Sequence, residues 1–394
     1  MPRWLVFVLL FATALVAAPA WSMCGTDDES AAADAATADG EGAAEQDLVL
    51  PVGPSDDDGP YYFYHGRNFG SEALINPLRL IINGGYGIMQ IDNRDNRLSG
   101  VDYETGWRNL WKNLGSPIKA IEVDGWGDFF EREITPISIN SKKAHYWPNY
   151  MQHLIGGGMS YRMYVEWYRY HGYPTPKLMS VATMTAYHLL NEVVENDGYE
   201  GYTTDPIADL YIFDPLGILM FSSDRVCGFF AHKLNMADWS YQPAIDFSDG
   251  SIENQGQNFA MKYKVPWLDR WSFFYHFGTH GEGGLSYRFN DNESVSMALG
   301  LRAKDLIDLR DGVKTVDLAV SGGLFYDRGN SLLASLQFAR TKDYRIRLNV
   351  YPGLVRAGPV SPGLFVADRQ ERGVIFGVTI NFPATLPVGI GGEF

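Results

Sequence analysis

Tyr344-Arg345-Ile346-Arg347-Leu348-Asn349-Val350 alternates apolar with charged or polar side chains along its whole length. That is the period-two signature of a β-strand with one apolar face and one polar face. The same rhythm recurs from about residue 257 to residue 382, in segments separated by Gly, Asn and Asp clusters. Phe259, Met261, Tyr263 and Val265 share a face opposite Asn258, Lys262 and Lys264. Trp271, Phe273, Tyr275 and Phe277 alternate with Ser272 and His276, and Leu285, Tyr287 and Phe289 alternate with Ser286 and Arg288. Val295 to Leu301, Val316 to Leu324, Leu332 to Phe338 and Val374 to Phe382 continue the series, and further strands are expected near Trp239 to Phe247 or Ile118 to Phe130.

Both a soluble barrel and a membrane barrel alternate, so the direction of each face decides between them. A soluble barrel of this size fills its interior with apolar side chains. Here the long aromatics of eight strands would crowd a narrow core, and Lys262, Arg288, Arg302, Arg345 and Arg347 would ring the outside. The reverse arrangement, lipid against the apolar face and a polar lumen, accommodates both. The chain ends in Phe394, an aromatic terminus typical of such barrels, although Pro383 and Pro387 separate it from the last clear strand. The expected fold class is therefore α+β: an N-terminal helical module over 60–240, followed over 241–394 by a C-terminal antiparallel β-barrel of about eight or more strands.

Upstream, residues 1–20 carry one positive charge at Arg3, an apolar run from Trp4 to Val16 and small residues at Ala18 and Ala20, the layout of a secretory signal peptide. Residues 21–59 read as a disordered acidic tether: from Asp27 to Asp58 they hold eleven acidic side chains and no Lys or Arg. Cys24 at its head is a candidate for lipid attachment, though Trp21-Ser22-Met23 matches a lipobox poorly. Cys227 is the only other cysteine, so no disulfide framework is possible. With a formal net charge of −15 there is no basic footprint for phosphates, which excludes a nucleic-acid partner.

Between residues 70 and 225 the apolar spacing is helical. His188, Glu192 and Glu195 fall at i, i+4 and i+7 on one helix face, and Asp205 and Asp209 repeat the i, i+4 relation. Asn149-Tyr150-x-x-His153 with Gly156 to Gly158, then Asn191-Glu192-x-x-Glu195, Asp205-x-x-x-Asp209 and Asp214-Pro215-x-Gly217 form an ordered set. Over about residues 140 to 225 this set resembles a family of uncharacterised bacterial envelope proteins, and more distantly the helical envelope proteins of the YfiM and VanZ-like groups. The resemblance implies an exported bacterial protein and brings no activity with it.

The candidate polar cluster is thus Asn149, His153, His188, Asn191, Glu192, Glu195, Asp205, Asp209 and Asp214. These residue types ligate metals or move protons. Yet the His-x-x-x-Glu-x-x-Glu order is not the Glu-x-x-His of di-iron bundles, and no HExxH, G-x-S-x-G, C-x-x-C or phosphate loop is present. A structural role, with the side chains satisfying one another between packed helices, is the expectation, with no metal and no cofactor. The function read from the sequence is an outer-membrane barrel with a helical module, in a structural or transport role in the cell envelope, its partner outer-membrane lipid. Two rivals stand beside it: a membrane-surface hydrolase using the His/Glu/Asp cluster, and a soluble periplasmic ligand-binding barrel.

Overall fold

The computed structural model describes residues 59–92, 94–135, 150–198, 201–308, 314–355, 360–370, 373–381 and 389–393. The leader, Cys24, nearly all of the acidic stretch and Asn149 lie outside the described residues.

Up to Met236 the described chain is helical and packs in the ordinary way. The helix Pro77–Gly85 starts at Asn76, whose side chain accepts from the Leu78 N–H, with Pro77 supplying the preset φ of a first turn. The helices Gly158–Tyr170 and Pro176–Glu195 are joined by Ser180 Oγ donating to the Tyr161 carbonyl at 2.7 Å and by the Tyr168 hydroxyl at 2.7 Å from Thr183 Oγ1. Met159, Tyr168, Val194 and Phe221 are buried between them and their neighbours. Glu166 anchors the entering chain: its carboxylate accepts the backbone N–H groups of Tyr62, Phe63 and Tyr64 at 3.0, 2.8 and 3.0 Å. The stretch from Ile118 to Phe130, a candidate for further strands, is helical instead, in Pro117–Asp124 and Trp126–Phe129. Its Pro117 at a helix start and its i, i+3 apolar spacing decide against a strand.

The other upstream candidate is a strand, so the sheet begins at Ala237 rather than 241. Thirteen strands form one sheet: β1 Ala237–Asp238, β2 Ala244–Asp246, β3 Ser251–Glu253, β4 Phe259–Lys264, β5 Trp271–Phe277, β6 His280–Arg288, β7 Glu293–Asp308, β8 Lys314–Arg328, β9 Ser331–Ala339, β10 Ile346–Val350, β11 Ser361–Arg369, β12 Gly373–Asn381 and β13 Gly389–Glu393. The order is β1, then β4 through β13 consecutively, then β2 and β3. The protein is α+β with a large mixed sheet. Two features of the expected barrel need correction: the sheet is not antiparallel throughout, because Gly389 and Ile390 pair in parallel with Ala244 and Ile245, and among the described residues no ladder joins β1 to β3, so the ladders as paired form an open series.

β1 and β2 follow one another along one side of a hairpin and β3 and β4 along the other, with Asn254 in the left-handed region between β3 and β4. Ala237 pairs with Ala260, Trp239 N–H donates to Asn258, Tyr241 N–H donates to Gly256, and Asp246 pairs with Ser251, all in one unbroken antiparallel register.

The polarity of the sheet is inverted. Leu348 is 43% exposed while Arg347 beside it is 1% exposed, and across the ladders Leu336 and Val366 are exposed with Leu348 while Gln337 and Ala367 are buried with Arg347. Met297, Leu299 and Val320, at 58%, 58% and 62%, extend the apolar exterior. The buried face is lined with ion pairs: Lys262 of β4 with Asp327 of β8 at 2.5 Å, Glu253 of β3 with Arg369 of β11, and Arg302 of β7 and Arg347 of β10 both at 3.2 Å from Asp343 in the β9–β10 turn. Two apolar nests interrupt it among the described residues, one with Leu74, Trp239, Phe274, Phe325, Leu332 and Tyr351 and one with Ala244, Ala339, Tyr344, Phe365, Ala367 and Ile375. The helical part covers the outer face at one place, where Phe259, Met261, Tyr275 and Phe277 join its core.

Candidate functional site

The polar cluster forms where the helical part folds back on itself. His153 lies in the π-helical turn Tyr150–Gly157, and Asp209 opens a second π-helical turn, Asp209–Phe213, which runs into the helix Asp214–Phe221. Single π-helical turns of this kind are frequent at functional sites. Gly158 and Gly217 let the first of these segments meet the last helix backbone to backbone: a Cβ on Gly217 would lie 2.8 Å from the Leu154 carbonyl oxygen. That approach sets His153 against Asp214.

The geometry is specific. His153 Nε2 is 3.1 Å from Asp209 Oδ2, and its Nδ1 is 3.3 Å from Asp214 Oδ1. The other oxygen of Asp214 meets Nδ1 of His188, and the two imidazole rings are 5.1 Å apart. Behind them Glu192, Asp205 and Asp209, all buried, bring one carboxylate oxygen each within 4.8 Å of one another. Glu192 also accepts from Asn196 Nδ2 at 3.2 Å.

Charge in this setting is set by neighbours. Burial disfavours a charged His153, yet the carboxylates of Asp209, Asp214 and Asp205 outweigh it and lift its pKa to about 10. His188 goes the other way: burial holds it below the ordinary value, and His153 adds to that, against the pull of Asp214. Burial pushes Asp209 well up, and Asp205, Asp214 and Glu133 reinforce it, whereas Asp214, facing two imidazoles, is held low despite its burial. The His153 and Asp209 pair therefore keeps a proton at neutral pH.

Of the residues expected from the sequence, His153, His188, Glu192, Asp205, Asp209 and Asp214 come together. Asn191 instead donates to the Gly84 carbonyl at 3.2 Å, a helix-packing contact, and at Glu195 the backbone carbonyl accepts from Arg94 while the side chain belongs to neither group. Glu133 was not foreseen: it shares the Thr204 hydroxyl with Asp124, each at 3.2 Å. Its distance along the chain leaves no spacing signal. A second cluster, His276, His280 and Glu282, lies on the buried face of the sheet, with His280 Nε2 2.8 Å from His276 Nδ1 and Ser321 Oγ donating to Glu282 at 2.7 Å. Its signal was present, since all three occupy polar-face positions either side of a two-residue turn.

Comparison with family models, with curated proteins and with solved structures finds no match to this chain.

Proposed function

We propose that this chain is an outer-membrane protein of the bacterial envelope, in which the sheet wraps into a membrane barrel with a filled polar interior and carries the helical module against its wall. The observation that carries the reading is the inverted polarity, an apolar exterior around buried ion pairs, which suits lipid outside and is the opposite of a water-soluble barrel. The ladders supply a second support. Counted as continuous segments, 237–246 and 251–264 are one strand each, and with β5 to β13 they make eleven. An up-and-down ring with an odd number of strands must close through one parallel pair, and β13 on β2 is that pair. Segment 237–246 pairs on one edge with 251–264 and on the other with β13, the arrangement that closure of the ring would use.

Six strands reach a tilted span of about 9–11 residues or more: β6, β9, β11 and β12 have nine residues, β7 sixteen and β8 fifteen, while β4, β5, β10 and β13 are shorter. Tyr263, Trp267, Trp271, Phe273 and Phe289 are exposed around the β4–β5 and β6–β7 turns, where an aromatic girdle meets the membrane interface. Among the described residues no helix is long and apolar enough to cross a membrane, which says nothing about a barrel. The Arg302, Asp343 and Arg347 network, with Arg347 stacked 3.8 Å from the Tyr241 ring and 3.9 Å from the Tyr344 ring, occupies the interior and favours a scaffold over an open pore.

The deciding experiment is fractionation of expressing cells followed by a gel run with and without boiling. The protein should sediment with outer membranes and migrate faster unboiled. Recovery in the soluble periplasmic fraction with no heat shift would refute the membrane assignment.

A further inference from the structure

We propose that His153, His188 and Asp214 form a binding site for one divalent transition-metal ion of the zinc type, with Asp209 orienting His153 from behind. The inference concerns the helical cluster alone and does not rest on where the sheet resides.

Three donors converge. Nδ1 of His153 and Nδ1 of His188 approach the two oxygens of the same carboxylate, and donor atoms of the three residues all lie within 4.8 Å. A tetrahedral ion with bonds of about 2.0–2.1 Å places its donors roughly 3.3 Å apart, and His153 Nδ1 is 3.3 Å from Asp214 Oδ1. Two imidazoles with one carboxylate is a donor set suited to zinc, iron or manganese, with room for water or substrate at the remaining position.

Two independent features separate this site from a chance group of acids. Metal-bound histidines characteristically donate the other ring N–H to a carboxylate, which fixes the ring, and His153 Nε2 is 3.1 Å from Asp209 in that way. His188 is the second feature. Its side chain is buried and meets Asp214 through Nδ1, while its Nε2 has no hydrogen-bond partner among the described residues. A buried imidazole with a single polar contact is out of the ordinary, and that contact holds its Nδ1 on the same carboxylate that His153 approaches. The lumen trio His276, His280 and Glu282 is the weaker candidate, because Arg302 and Arg347 are buried in the same interior and repel a cation.

The test uses the full chain in detergent, stripped with a chelator, equilibrated with Zn²⁺ and desalted. About one zinc per chain is expected by elemental analysis, and Co²⁺ in its place should give visible d–d absorption. The double variant His153→Gln/His188→Gln should lose the ion, Asp209→Asn should weaken it by about 10- to 100-fold, and His276→Gln should retain it. Zinc content near zero in the parent, equal content in the double variant, or loss confined to His276→Gln would each overturn the proposal. Should the double variant not fold, the parent still decides: zinc must raise its thermal unfolding midpoint and the chelator must lower it, and no shift counts against the site.

Discussion

The helical part and the sheet of this protein bury opposite kinds of side chain. In the helices apolar side chains such as Met159, Tyr168 and Phe221 are buried, and charge enters the interior at a few places with its partners already in position, as at Glu166 under three backbone N–H groups. In the sheet Leu348, Val320 and Met297 face out and Arg302, Arg347 and Arg369 face in. One chain thus shows that alternation sets where a strand is and leaves open which face is buried; the polar partners across the sheet decide that.

The largest expected break in this contrast is at Asp343, the one carboxylate within reach of both Arg302 and Arg347. Asp343→Ala leaves two buried guanidinium groups without it and should cost about 3–5 kcal/mol. The urea midpoint of the heat-modifiable form measures it. A loss no larger than that of an exposed substitution would mean the interior is wet enough to screen these charges. Next comes the outer face: Leu348→Arg should cost about 2–4 kcal/mol if the side chain sits near the bilayer midplane. Leu178→Arg, on the exposed face of the helix Pro176–Glu195, should stay within about 0.5 kcal/mol. Equal effects at the two sites would erase the distinction between lipid-facing and water-facing apolar surface.

The smallest effect is a matter of pH at the base of the helical part. Burial raises the Glu72 pKa, but hydrogen bonds and charge from His65 and Arg67 more than offset it and hold the carboxyl below its ordinary value. The anionic form is therefore the one the fold favours. Its contribution is complete above an unfolded value of about 4.5 and fades as pH falls below it. Protease resistance of the segment around residues 61–75 should decline between about pH 5 and pH 3, and Glu72→Gln should flatten that decline. An unchanged pH profile in the variant would assign the effect to another carboxyl.

Much of the sheet was legible because period two is local: each of the eight alternating segments coincides with a strand apart from Val265, Phe289, Tyr344 and Arg345 at the ends and Phe382, which lies outside the described residues, and Val295, Met297 and Leu299 are exposed. What was not legible was long-range. Nothing near residue 389 announces a parallel pair with residue 244, and the single register that merges β1 with β2 is a property of the hairpin partner. In the helices, the i, i+4 spacing placed His188 with Glu192 and Asp205 with Asp209, and the fold brings both pairs to His153. Asn191 and Glu195 share the same helix but turn to Gly84 and Arg94, since 3.6-residue periodicity cannot tell which flank of a face meets which neighbour. That two imidazoles converge on one carboxylate was not legible, because convergence depends on the Gly158 and Gly217 contact rather than on either motif.

The pairing of Gly389 and Ile390 with Ala244 and Ile245 also governs the order of events during folding. The partners stand about 145 residues apart, so this contact has among the highest loop-closure costs in the sheet, whereas each meander hairpin needs only its neighbour. Hairpins can therefore zip one onto the next, but the edge at β2 must wait, unpaired, until the last strand arrives. Removing 389–394 would leave that edge and the outer edge of β12 permanently open, two templates for intermolecular strand addition, and convert a slow final step into a route to aggregation.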